Sequence, residues 1–442
     1  MKIQLSDHFT YSKLMRCTLP SIIMMVFTSI YGVVDGFFVS NFVGKTPFTA
    51  VNFIYPVLMI LGCAGFMFGT GGGALIAKTM GEGRPEEANR TFSLIVYACA
   101  ACGVMLGVLG AAFIRPIAAA LGARGQLLED SVAYARVILL AVPAFVLQFE
   151  FQCLFATAGK PTLGLAVTVA AGCTNMVLDA LFVAAFRWGL EGAAAATALS
   201  QCVGGIAPLF YFARPNSSWL RLGRTRFDAR ALGKACANGS SELMSNISMS
   251  FVSMLYNAQL LRYAGEDGVA AYGVLMYVSL VFQAVFIGYS VGAAPVVGYH
   301  YGAQNHGELR NLRRRSMMVI TVFAGAMFAA AWLLARPLSL LFVGYDPELL
   351  EMTARAFSIF SFSFLFSGFA IFGSSFFTSL NNGLVSAVIS FLRTLVFQAA
   401  AVLVFPLVWE VDGVWLSIVA AEALSVAVTA AFLLALRKRY HY

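Results

Sequence analysis

The chain has 442 residues, of which 60% are hydrophobic and only 11% charged, with a mean hydropathy of +0.80 and a formal net charge of +8. Soluble domains run at roughly 45–50% apolar and about 25% charged, so this composition excludes a water-soluble globular protein and makes the bilayer its solvent. The positive surplus then reflects membrane topology and anionic headgroups, and nucleic-acid binding is not expected.

Stretches apolar and long enough to cross about 30 Å of hydrocarbon fall at about 18–39, 51–77, 91–114, 132–156, 163–186, 192–213, 237–261, 270–298, 316–335, 356–380, 384–408 and 413–436. No β-barrel alternation appears, and helices satisfy their own backbone groups in lipid. An all-α polytopic protein with twelve transmembrane helices is expected. The opening "MKIQLSDHFTYSKLMR" is polar, carries Asp7 and leads into a span without a small-residue cleavage site, so no removable signal peptide is expected. Placing the N-terminus inside and alternating through twelve spans puts 20 of the 29 Lys and Arg residues on one side. By the positive-inside rule that side is the cytoplasm, with both termini there and the protein a multi-pass component of the inner membrane.

In chain order, the first span carries a carboxylate, Asp35, in the otherwise uncharged run "SIYGVVDGFFVS". The second contains "FGTGGGALIAK", which lacks the G-K-[ST] ending and preceding strand of a phosphate loop and is read as small-residue helix packing. "CAAC" in the third, Cys99 to Cys102, lies mid-span at helical spacing, without a helix N-terminus or further ligands for redox or zinc chemistry. The eight cysteines lie in or beside apolar spans and imply no disulfide framework. Glu150 lies in the fourth span, Asn175 and Asp179 in the fifth, and Thr197 in the sixth. The basic stretch "RPNSSWLRLGRTRFDARALGK" follows. His8, His300, His306 and His441 form no cluster, and no nucleophile–base pair or metalloprotease spacing occurs, so an enzyme is not expected.

The second half repeats the first. A shift of 221 residues sets "AAFIRPIAAAL" at 111 against "LLARPLSLLF" at 333, and "MGEGRPEEANR" at 80 against "YGAQNHGELRN" at 301. It pairs Gly81 with Gly302, Ala50 with Ala271 and Gly192 with Gly413. The divisions are an amino-terminal lobe at 1–213, a basic cytoplasmic linker at 214–234 and a carboxyl-terminal lobe at 235–442. Each half has an even number of spans, so the copies share one orientation and are related by a pseudo-twofold axis along the membrane normal. Parallel-repeat transporters have this plan, with the substrate site between the repeats.

Asp35, Glu150, Asp179, Glu242, Arg393 and Glu422 are ionisable groups inside spans, where a charge costs roughly 2.5–3.5 kcal/mol or more and is a functional candidate by default. Depth sorts them. At 1.5 Å per residue, Asp35, Asp179 and Thr197 all lie roughly 7–10 Å from the outer ends of their helices. Tyr31 stands four residues before Asp35 and Asn175 four before Asp179, so each shares a face with its acid. Carboxylate, amide and hydroxyl oxygens replace the water shell of a hard cation, and two nearby carboxylates can hold one proton between them. Asp35 is therefore read as a coupling-ion group; a purely structural acid satisfied by the Tyr31 hydroxyl is the alternative.

The first-span pattern "LPSIIMMVFTSIYGVVDGFFVS", "NMVLDALF" with "GLEGAAAATALSQ" after it, and "GEDGVAAYGV" leading into "GYSVGAAPVVGYHYGAQN" resemble the multidrug and toxic compound extrusion (MATE) family, from about Leu14 to Leu436. The resemblance implies a two-lobed exporter of six plus six helices, driven by inward flow of protons or sodium ions and needing no cofactor. It also implies a cation site at Tyr31, Asp35, Asn175, Asp179 and Thr197, with sodium, where it is the ion, at Asp35, Asn175, Asp179 and Thr197. Some relatives carry a second acidic site in the carboxyl-terminal lobe. Here Glu242 lies nearer the start of its helix than that pattern has it, the tenth span holds no acid, and Asp35 aligns with Tyr256 beside Asn257.

Phe and Tyr number 39 and 16, which suits a cavity for flat organic cations through cation–π contact as well as ordinary packing against lipid. Glu242, Arg393 and Glu422 either line that substrate cavity or pair to stiffen a lobe. The expected function is secondary active export of small organic, cationic compounds by a monomer contacting substrate and membrane lipids. A flippase for lipid-linked saccharides, toward which only Arg393 points, and a channel or non-transporting receptor are the alternatives.

Overall fold

A computed structural model describes residues 4–43, 45–344 and 346–442, and among these there are helices and no strand. Lys2, counted above on the basic side, lies outside them. The first half contains α1 (Tyr11–Phe38), α2 (Lys45–Gly81), α3 (Pro85–Ala120), α4 (Gly125–Thr157), α5 (Pro161–Asp179, continued by a π-helical turn Ala180–Ala185) and α6 (Gly189–Ala213). A continuous helical trace Ala229–Gly302 follows, 74 residues long. At 1.5 Å per residue it is far too long for one crossing. Gly265 breaks it, with φ 67° and ψ −154°, a backbone open to glycine and closed to other residues. Two helices result, α7 (229–264) and α8 (266–302). Then come α9 (His306–Val343) and α10, bent by 50° between Pro347–Ser361 and Phe364–Ser379. Last are α11 (Gly383–Phe391, π-helical Leu392–Val396, Phe397–Val404) and α12 (Pro406–Ala435, broken near its start at Glu410).

Ten of these helical stretches are long and apolar enough to cross a membrane singly, and the bent pair makes an eleventh. Dividing the 74-residue trace adds one more. The twelve crossings are those expected from the hydropathy pattern.

The two halves repeat each other down to their turns. Left-handed backbone at Gly83, Gly159 and Gly189 returns at Gln304, Asn381 and Glu410. These shifts are within one residue of the 221 read from the sequence. Two apolar cores follow the same division, one centred on α2–α6 and one on α8–α12. The first helix of each half crosses over: Ile22 of α1 packs in the second core against Gly288 of α8, while Ala235 of α7 packs in the first, with Gly239 against Met67 of α2.

Chain entry is exchanged in the same way. Ahead of α1, the Phe9 amide donates to Glu308 Oε1 (2.9 Å) and His8 Nδ1 meets Glu308 Oε2 (2.6 Å) at the start of α9. Ahead of α7, the Arg221 amide donates to Asn89 Oδ1 (2.9 Å) and the Gly223 amide to Ser93 Oγ (3.0 Å) at the start of α3. The C-terminus returns to the same end, where Arg310 Nε donates to the His441 carbonyl (3.2 Å).

At this basic end the lobes are sealed together on their symmetry axis. Gly81 lies against the Tyr299 carbonyl and Gly302 against the Lys78 carbonyl, each so closely that a Cβ would collide with that oxygen. The 221-residue shift carries Gly81 to Gly302 and Lys78 to Tyr299. A contact that maps onto itself when the halves are exchanged lies on the axis relating them.

Candidate cation site and interlobe charges

Both helices that supply the first lobe's acids loosen just beyond them. α1 passes into a π-helical turn, Val39–Val43, four residues after Asp35, and α5 into Ala180–Ala185 directly after Asp179. A π turn takes carbonyls out of the regular ladder and recurs at functional sites.

Around Asp35 the structure gathers the residues selected by depth. Asn175 Nδ2 donates to Asp35 Oδ1 at 3.5 Å and Thr197 Oγ1 donates to the same oxygen at 3.4 Å, both long bonds. Thr197 Oγ1 is held more firmly by the Ala193 carbonyl, at 3.1 Å. Asp179 is fully buried and turned toward Asp35. Tyr31 packs on Gly172 of α5, one turn inward from Asp35. Tyr31, Asp35, Asn175, Asp179 and Thr197, from α1, α5 and α6, thus share one neighbourhood.

What that neighbourhood lacks is a donor for Asp179. Among the described residues, neither of its carboxylate oxygens, nor Asn175 Oδ1, has a hydrogen-bond donor. Buried polar atoms in folded proteins are nearly always paired, and two ionised carboxylates facing each other without a donor repel. A proton shared by the two acids pairs one Asp179 oxygen with Asp35 and removes the repulsion, whereas a hard cation bound to both, with Asn175 Oδ1 as a further ligand, satisfies all three orphaned oxygens. Among the described residues no group of three or more His, Cys, Asp and Glu side chains is arranged to hold a metal ion.

Three neighbours escaped the sequence reading. Tyr134 of α4 places its hydroxyl beside Thr197, Gln148 of α4 stands beside the Tyr31 hydroxyl and covers Gly204 of α6, and Tyr55 of α2 lies in the field of Tyr31 and Asp35. Gln148 carried a usable signal. Like Gln152 and Gln201 it is an amide inside an apolar span, and all three are buried with orphaned atoms. Attention to charge alone passed them over.

The remaining charges lie elsewhere. Glu150 is fully buried in the first lobe, with the Cys99 thiol beside it. In the second lobe Arg393, inside the π turn of α11, donates from Nε to Glu422 Oε1 (3.1 Å) and Oε2 (2.9 Å) of α12. Of the two roles considered for these residues, Arg393 and Glu422 pair within a lobe. Glu242 of α7 feels the Arg393 charge and also lies near Cys63 of α2 and Cys153 of α4, which puts it between the lobes.

The MatE family model matches the chain twice, over residues 20–181 and 243–404, once in each half. The multidrug export protein MepA of Staphylococcus aureus strain MRSA252 is 23% identical over 417 residues, covering 94% of this chain and 91% of that protein. MepA of Staphylococcus saprophyticus is 23% identical over 365 residues, 81% of this chain and 80% of its own. Among solved structures, a multidrug resistance MATE family transporter of the MOP superfamily in an outward-facing conformation superimposes with a TM-score of 0.91 at 23% identity, covering 98% of both chains. A MATE structure in the straight conformation gives 0.91 at 22% identity, over 98% and 97%. Matched by the family model in both its repeats, the chain belongs to the MatE family.

Proposed function

We propose that the protein is a cation-coupled exporter of small organic cations, in which Asp35 and Asp179 hold a proton or sodium ion and the two lobes alternate access to a cavity between them. The observation that carries this reading is the facing of two buried carboxylates, one of which has no donor among the described residues. Such a pair favours occupancy by a cation from outside the chain. Relatives named as multidrug export proteins support the direction of transport. Positive charge at the sealed end supports a cytoplasmic location for that face and both termini, in an inner membrane. The reading takes the protein as a monomer.

Coupling follows from electrostatics. Ionised together, Asp35 and Asp179 repel, favouring a hydrated pocket open to the outside; a proton or sodium ion removes the repulsion, lets α1 tighten on α5 and α6, and weakens the hold on a cationic substrate. Glu242, an acid at the interlobe surface, attracts that substrate from the other wall. A lipid-phosphate flippase would want a free cation in the cavity, whereas Arg393 is engaged by Glu422.

Binding of a fluorescent organic cation to purified protein, measured from pH 5 to 9 with and without sodium, tests the reading. Lowering the pH puts a proton on the pair, so affinity should fall toward pH 5. Sodium should lower it at high pH if sodium is the ion. Asp35→Asn should mimic the occupied state and flatten the profile. Wild-type affinity indifferent to both pH and sodium, yet altered in Asp35→Asn, returns Asp35 to a structural role.

A further inference from the structure

At the basic end, α2, α3 and the segment leading into α7 enclose a cleft of about 830 Å³. Lys78, Arg90, Arg224, Arg226, Arg230 and Lys234 converge on it, with the Thr79, Thr91 and Thr225 hydroxyls between them and Leu75 and Leu94 among its walls. Its acids are already taken. Glu82 and Glu87 pair with Lys78 and Arg84, and Asp228 caps α7 through the Arg230 and Ala231 amides. Among the described residues, Arg90, Arg224, Arg226, Arg230 and Lys234 make no ion pair within the chain. Five unpaired cations around one concavity repel one another, which an anion would relieve.

Depth decides which anion. Lys78 follows the apolar stretch of α2 and Arg90 precedes that of α3, so the cations stand at the boundary between hydrocarbon and headgroups. An apolar wall below a rim of cations and hydroxyls matches a phosphate with an acyl chain beneath it, and basic pockets between helices on this side of a membrane take anionic headgroups. An organic cation would be repelled.

We infer that this cleft binds the phosphate of an anionic phospholipid. Because its cations come from α2 and α3 on one side and from the segment entering α7 on the other, the bound headgroup pins that segment to the first lobe, near the Gly81–Gly302 seal. The site is separate from the Asp35–Asp179 pocket and stands whichever ion that pocket takes.

The test uses full-length protein in nanodiscs of zwitterionic lipid, with or without a minor fraction of phosphatidylglycerol or cardiolipin, and the melting midpoint as readout. Anionic lipid should raise the wild-type midpoint by about 5 °C, as expected for a ligand that binds only the folded state. The triple variant Arg224→Gln, Arg226→Gln, Arg230→Gln should lose that rise. A control triple, Arg16→Gln, Arg314→Gln, Lys438→Gln, removes the same charge from the same face and should keep it. Equal loss in both triples reduces the effect to general surface charge and overturns the site. So does retention in both. Inorganic phosphate or pyrophosphate giving the full rise in detergent without lipid replaces the lipid with a soluble anion and overturns the assignment. Should the cleft triple prove too unstable, Arg90→Gln alone should lower the midpoint rise by at least half, and an unchanged rise counts against the proposal.

Discussion

The two lobes are copies in backbone and opposites in charge. Where the first lobe has Asp35, the second has Tyr256, buried and stacked on Tyr272 with parallel rings 5.3 Å apart. Where the first has Asp179, the second has alanines, and where it has Gln201, the second has Glu422. Both lobes therefore keep a buried acid in the membrane, but they satisfy it differently. Glu422 has both oxygens on the Arg393 guanidinium, a cation built into the chain. Asp179 faces Asp35, and neither of its oxygens has a hydrogen-bond donor among the described residues. The same fold pairs Glu422 of one lobe with a cation of the chain and leaves Asp179 of the other without a donor among the described residues.

The largest effect should come from removing the first lobe's charge. Asp35→Asn and Asp179→Asn keep side-chain volume and should each reduce gradient-driven efflux from cells or vesicles to the level of a vector control, with expression and melting midpoint near wild type. Efflux at the normal rate in either variant breaks the distinction between the lobes.

In the second lobe the order of effects reverses, with stability falling before transport. Arg393→Met leaves Glu422 buried without its cation, and breaking a buried pair from one side costs about 3–5 kcal/mol. A large drop in melting midpoint is expected. The double variant Arg393→Met, Glu422→Leu removes both charges and should recover most of it while still exporting substrate in a pH- or sodium-dependent way. Loss of ion dependence in a stable double variant would assign coupling to the second lobe as well.

The seal on the axis gives a test that treats the lobes as equals. Gly81→Val and Gly302→Val place a Cβ against equivalent carbonyls, so both should impair closure of the basic end and slow efflux by about tenfold, a loss of roughly 1.4 kcal/mol in the sealed state. Crosslinking of a cysteine pair across that face should fall to the same degree in each. A strong effect from one glycine and none from the other would mean that the repeat is structural and the seal one-sided.

Much of this contrast was legible in the sequence, because period and charge are properties of residues in order. Hydropathy gave the crossings, the 221-residue shift gave the repeat and the Gly81–Gly302 correspondence, and depth along straight helices singled out Asp35, Asp179 and Thr197. Partnership was not legible. Whether Arg393 reaches Glu422 or an open cavity depends on how α11 turns at Leu392–Val396, and hydropathy does not register a π turn. Tyr134 escaped for a related reason. It reaches Thr197 across the α4–α6 contact, and no spacing within α4 encodes the register between two helices. Nor could composition divide the unpaired cations of the 224–234 segment from the rest of the positive-inside charge.

The smallest effect concerns the ligands rather than the charges. Thr197 gives Asp35 a long hydrogen bond and spends most of its hydroxyl on the Ala193 carbonyl. Thr197→Val keeps the shape and removes the oxygen. A hydrogen bond to a charged group contributes about 1.5–3 kcal/mol at good geometry, and at 3.4 Å about 1 kcal/mol is a fair share. Apparent affinity for the coupling ion should therefore fall about fivefold, read as a shift in the pH or sodium concentration at half-maximal efflux, with the maximal rate preserved. The equivalent position in the other lobe is Ile418, buried in an apolar core. Ile418→Thr puts a hydroxyl there that can bond back to its own helix four residues earlier, at the Val414 carbonyl. It has no orphaned carboxylate to serve, so it should leave the ion dependence unmoved while lowering the melting midpoint through lost apolar burial. A matching shift in ion dependence from both substitutions would mean that both lobes exchange ions after all.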